Sequence, residues 1–177
     1  MWRKWPDIVN SFLKNRRGAT AVEFSLLVVP LTALLLCSMQ TTFIYFFDQA
    51  LQTAAQQSTR QLMTGAAQTA GMTQAQFHNV VCNNAGTAFT CNNIMVDVQS
   101  ASSFSALTTA PINLSYNASG AVTNTFNYNP GGPGSITITR VMYLWPVVWG
   151  GLIPSLATQP NGNFLLVATV VSKNEPY

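Results

Sequence analysis

The feature that most constrains this chain is a run of 24 residues, Phe24 to Phe47, without a formal charge. About 20 apolar residues cross a hydrocarbon core of about 30 Å, so the run is long enough for one membrane-spanning helix. Five of the eight basic residues (Arg3, Lys4, Lys14, Arg16 and Arg17) precede it, against one acid, Asp7. Basic flanks stay on the cytoplasmic side. The expectation is a single-pass protein with its N-terminus in the cytoplasm and everything beyond about Asp48 across the membrane. A secretory signal peptide fits less well. Its apolar region spans about 7–15 residues and closes on a small-residue site, whereas this run passes into Gln40, Thr41, Thr42 and aromatics. Upstream, Ile8, Val9, Phe12 and Leu13 have the spacing of a short amphipathic helix on the inner membrane surface.

Glu23 stands at the threshold of the run. A charge at the middle of a bilayer helix costs about 2.5–3.5 kcal/mol on insertion scales, and less near an end. Two readings are open. Glu23 sits in the first helical turn, near the headgroups, where it complements the helix dipole, or it pairs with a cation supplied during assembly.

The string Arg17-Gly18-Ala19-Thr20-Ala21-Val22-Glu23-Phe24, with Pro30 inside the apolar run, resembles the processing site of type IV-like prepilins, and in particular the TadE-like pseudopilins of tight-adherence (Tad, type IVc) pili. The ending Ser172-Lys173-Asn174-Glu175-Pro176-Tyr177 is similar to the basic-Asn-Glu-Pro-aromatic ending of many such chains, which more often carry arginine where Lys173 stands. The N-terminal match covers roughly residues 16–60. The resemblance implies that a prepilin peptidase cuts between Gly18 and Ala19, with Arg17 before the cut. Glu23 then becomes the fifth residue of the mature chain, followed by Phe24, and its carboxylate is neutralised by an N-terminal amine during assembly. The implied partners are the inner membrane, the peptidase, other pilins or pseudopilins and the assembly platform.

Only 7% of residues are charged, against about a quarter in ordinary domains. The net +3 resides in the leader: residues 18–177 carry three bases and four acids. That leaves no basic patch for nucleic acid. Asparagine, glutamine, serine and threonine supply the polarity instead.

The length leaves room for one membrane helix and one outer domain. Beyond Asp48 the chain is rich in good helix formers, and Phe47, Leu51, Ala54, Ala55, Ser58 and Leu62 fall on one side at helical spacing. A helix from Ala19 to about Met63 would be about 68 Å long at about 1.5 Å per residue. Pro30 should bend it, and Phe43, Tyr45, Phe46 and Phe47 group near the outer interface. Gly65 and Gly71 loosen the chain. Thr73-Gln74-Ala75-Gln76 has capping-box form and opens a second short helix ending near Cys82. Cys82 and Cys91 bracket a loop closed by a disulfide, in an oxidising compartment, while Cys37 is a packing residue within the apolar run.

Ile94 to Gln99 alternates as a strand with one face on the helix. Residues 100–133 are rich in Ser, Thr, Asn, Gly and Pro, with room for one or two short edge strands and a turn at Asn129–Gly134. Gly134 to Val148 holds a further strand, with Ile136, Ile138 and Arg140 on one face and Thr137, Thr139 and Val141 on the other, and Pro146 should stop it. Asn163 to Ser172 is nearly all apolar. It reads as a central strand buried on both faces, or as one facing a helix and a neighbouring subunit. The segment around Trp145 and Trp149 reads either as core or as an exposed aromatic contact patch.

Enzymatic chemistry finds little support. After Glu23 the acids are Asp48, Asp97 and Glu175, and the one histidine is His78. His78 and Cys82 share a helical face, but zinc needs three or four ligands. Asp97, His78 and one of many serines make only a nominal triad. No cofactor is expected. The reading is therefore α+β: a leader over 1–18, a transmembrane and extended helix over 19–63, and a periplasmic pilin-like head over 64–177 with a short helix and an antiparallel sheet. Its function would be that of a minor pilin or pseudopilin of a Tad-type (Flp) adhesion pilus. Two alternatives are a stand-alone membrane-anchored binding module or adhesin, and a pseudopilin of a type II-like secretion system.

Overall fold

The computed structural model describes residues 18–108, 110–147 and 156–177. Residues 1–17 of the leader, Arg17 included, and Trp149 lie outside the described residues. One helix, α1 (Ala19–Met63), runs unbroken for 45 residues through Pro30. Its C-terminal half is the backbone of the head. Leu51, Ala54, Ala55, Ser58 and Leu62, one stripe at helical spacing, are wholly buried, and Phe47 is half-buried beside them. Small residues at 54, 55 and 58 let neighbouring elements approach closely. The Ser58 hydroxyl avoids a desolvation penalty by donating to the Ala54 carbonyl at 2.7 Å, as a buried polar group must.

After α1 the chain turns at Gly65, whose φ of 75° is left-handed, into a single turn, α2 (Ala66–Thr69). The next helix, α3, spans Gln74–Ala85 and so runs one turn beyond the expected end at Cys82. Its start is as expected. The Thr73 hydroxyl accepts from Gln76 N at 3.3 Å, and Thr73 N donates to Gln76 Oε1 at 2.8 Å. Phe77 and Val81, four apart and both fully buried, lay α3 against α1. Cys82 and Cys91 form the expected disulfide, with Cα atoms 5.4 Å apart.

Three antiparallel strands follow, β1 (Ile94–Ala101), β2 (Ile136–Pro146) and β3 (Asn163–Lys173), in the spatial order β1-β2-β3. Ile94 pairs with Tyr143 and Tyr143 with Leu166; Val96 pairs with Val141 and Val141 with Ala168. These residues form the face packed on α1 and belong to one core cluster with Leu51, Ala55 and Phe77. Phe47 of α1 stacks on Trp145, ring centroids 3.9 Å apart, and Tyr143 meets Phe89 edge-on at 5.1 Å. Core packing is therefore the outcome for Trp145. β2 ends at Pro146, which has no N–H for a ladder.

Of the two readings of Asn163–Ser172, the central strand buried on both faces is corrected. β2 is central and is buried from Ile136 to Tyr143, whereas β3 is an edge strand whose Val167 and Val171 are each more than 40% exposed. An apolar run fits either place, because burial of an outward face depends on what covers it. Here the segment 102–135 covers β2. Thr108 O accepts from Arg140, and Asn127 and Asn129 bond the free edge of β1 at Val98, with N–O distances of 2.8 Å. That segment holds isolated bridges, Val98 with Tyr128 and Tyr116 with Val122, in place of extra strands.

Candidate functional site

The segment expected to carry function opens α1. Gly18 is exposed and takes the N-cap position with no side-chain cap, and a Cβ placed on it would touch nothing within 4 Å. Ala19 is the first helical residue, so Glu23 lies in the second turn and not in the first. The dipole reading of Glu23 is corrected accordingly, since that effect fades within the first turn. Glu23 is exposed, and no described residue forms an ion pair with it. Phe24 beside it is 67% exposed.

The rest of this half of α1 is a bare apolar rod. Its most apolar stretch has a mean hydropathy of 2.1 and is 0% buried. Its hydroxyls are turned inward: Ser25, Thr32, Ser38 and Thr42 each donate to a carbonyl three or four residues back. For these four hydroxyls the pairing suits a lipid solvent, where polar groups must find partners within the protein; the buried Gln40 amide, in the same run, has none among the described residues. The helix is long and apolar enough to cross a membrane once.

The head is fastened to the far end of the same helix by the last residues of the chain. Glu175 N donates to Met63 O at 2.8 Å, tying the C-terminus to the final turn of α1. Asn174 is buried, and its amide donates to the carbonyls of Pro130 at 2.8 Å and Gly132 at 3.2 Å while its Oδ1 accepts from Thr137. The Tyr177 ring lies on Gly65, where a Cβ would collide with it. Asn174 to Tyr177 thus joins helix, turn and sheet.

The other singled-out residues are separately engaged. Asp97 Oδ2 pairs with Arg140 at 3.4 Å and accepts from Gln99, and Asp97 Oδ1 accepts from Asn127 N. His78 Nε2 lies 3.0 Å from Ile94 O. Asp97 and His78 are thus committed to different partners, and no group of three metal-ligating side chains occurs among the described residues. Cys37 is unpaired and half-buried on α1. Burial pushes the Tyr116 and Tyr128 phenols above their ordinary range; Tyr116 donates to Gln159 Oε1 at 2.8 Å, while the buried Tyr128 hydroxyl has no partner among the described residues. Sequence reasoning missed the Asp97–Arg140 pair. Its signal was a lone charge in each of two apolar strands.

Among protein families, residues 18–60 match the model described as TadE-like protein. The match begins at Gly18 and covers α1 almost to its end, and the head lies outside it. No curated protein and no solved structure gives a significant match to the chain.

Proposed function

We propose that this chain, whose N-terminal helix is TadE-like, is a minor pilin or pseudopilin of a Tad-type pilus. A prepilin peptidase removes residues 1–18, and the N-terminus faces the cytoplasm before processing. The head stands on the periplasmic side of the inner membrane. The exposed half of α1 then enters an assembly complex and packs against the helices of other pilins. One observation carries the reading: the TadE-like match coincides with a helix whose most apolar stretch is left uncovered by the head, beginning just after an exposed Gly18.

Glu23 is the polar element in this scheme. Buried among apolar helices, a carboxylate without a counter-charge is costly, and the amine freed at Ala19, of this chain or of a neighbouring subunit, supplies one. The test is Glu23→Ala in cells that make the pilus. Membrane insertion should be retained, because removing a charge from an apolar helix favours insertion, while recovery of the chain with assembled fibres or assembly complexes should fall. Wild-type incorporation of that variant contradicts the role given to Glu23.

A further inference from the structure

On the face of the sheet turned away from α1, at the end where β1 begins and β2 stops, the head has a cleft of about 570 Å³. That volume lies within the range of about 300–1,000 Å³ usual for small-molecule sites. Asparagines rim it, and they divide into two groups. Asn124 and Asn161 are spent on the walls. Asn124 accepts from Ser115 N at 2.6 Å and donates to Asn113 O at 2.9 Å; Asn161 accepts from Asn163 N at 3.2 Å and donates to Gly120 O at 3.4 Å. Gly120, at φ 79°, closes a turn that Asn117 also holds, its Oδ1 accepting from Ala121 N at 2.9 Å. Asn92, Asn93 and Asn163 line the same cleft, and no described residue bonds to their side-chain amides.

The chemistry of the lining selects a class of ligand. Among the described residues no Asp, Glu, Lys, Arg or His contributes to it, so an ionic ligand would lose its hydration without gaining a counter-charge there. Each free amide offers two donors and an acceptor, which suits a ligand rich in hydroxyls that both give and take hydrogen bonds. Between the amides lie Met95, Val122, Phe126, Leu144 and Pro146, apolar surface of the kind that covers C–H faces. We infer that this cleft binds a neutral saccharide. The site does not depend on the pilin reading, since it uses only head residues.

The test uses the full chain in a zwitterionic detergent without a sugar headgroup. It is titrated with neutral trisaccharides of glucose, galactose, mannose and N-acetylglucosamine, and with sialyllactose and a heparin disaccharide as charged counterparts, read by saturation-transfer NMR. At least one neutral sugar should bind with a Kd of about 1 mM, and more tightly than either charged sugar. Asn93→Ala with Asn163→Ala should weaken it by about tenfold or more, while Asn79→Ala on α3, outside the cleft, should not. Asn92→Ala alone, at an exposed side chain bonded to nothing, should weaken binding at an unchanged melting temperature and guards against misfolding of the double variant. Absence of saturable binding by every neutral sugar, preference for a charged one, or unchanged affinity in the cleft variants overturns the assignment.

Discussion

Asn174 shows how one side chain at the end of a chain can hold a head together. Its amide nitrogen faces two carbonyls and its oxygen faces a hydroxyl, all in a place closed to water. Asn174→Ala should cost about 1–3 kcal/mol, the penalty of leaving buried polar groups without partners. Asn174→Asp should cost more, because its carboxylate would confront the Pro130 and Gly132 carbonyls. Thermal unfolding of the two variants checks that order. Asp97→Asn should cost about 3–5 kcal/mol by leaving the buried Arg140 uncompensated, and Arg140→Met in the same chain should recover most of the loss. Titration adds a separate prediction. Tyr116 and Tyr128 have raised pKa values in the fold, so the fold favours their neutral form. That contribution is present in full below about pH 10, the phenol's unfolded value, and is lost as pH rises through the folded values. Unfolding followed from pH 8 upward should show an alkaline loss of stability that is smaller in Tyr128→Phe. The capping box of Thr73 and Gln76 was legible in the sequence because both partners lie within one turn. The roles of Asn174, Asp97 and Arg140 were not, because each depends on residues 30 or more positions away, brought near by the strand pairing and by the loop that carries Asn127 and Pro130.

Among the elements, α1 was legible from end to end. Its length, its apolar run and its stripe of small and apolar residues are local properties, and the helix Ala19–Met63 follows them residue for residue. The sheet was legible as three strands but not in its order. Periodicity reports which faces are apolar; it does not report whether the covering layer is a helix, a loop or another molecule. β3 therefore read either as a central strand or as one facing a helix and a neighbouring subunit; it is the edge, with Val167 and Val171 left open. The disulfide belongs to this scale because it fastens the end of α3 to the start of β1 across nine residues. In the chain-entropy account a loop of that size contributes about 2–3 kcal/mol, so Cys82→Ser with Cys91→Ser should lower the melting temperature under oxidising conditions. The same shift should follow reduction of the wild type, and an unmoved midpoint in both would remove the disulfide from the account. The candidate cleft was not legible at all, since Asn92, Asn93 and Asn163 sit in stretches that read only as polar loop or strand end.

The whole molecule is one helix with two environments. Its N-terminal half holds an apolar stretch with no buried residue; its C-terminal half is the core of a small head locked on by Asn174 to Tyr177. A subunit that is drawn from a bilayer into a helical bundle needs that division, and it needs its N-terminus cut at the start of the helix. The direct measurement is the intact mass and N-terminal sequence of the membrane-extracted chain, made with and without a prepilin peptidase. Peptidase-dependent loss of Met1–Gly18, leaving Ala19 at the N-terminus, is the predicted result. A full-length chain under both conditions would contradict the account and reduce α1 to an ordinary membrane anchor.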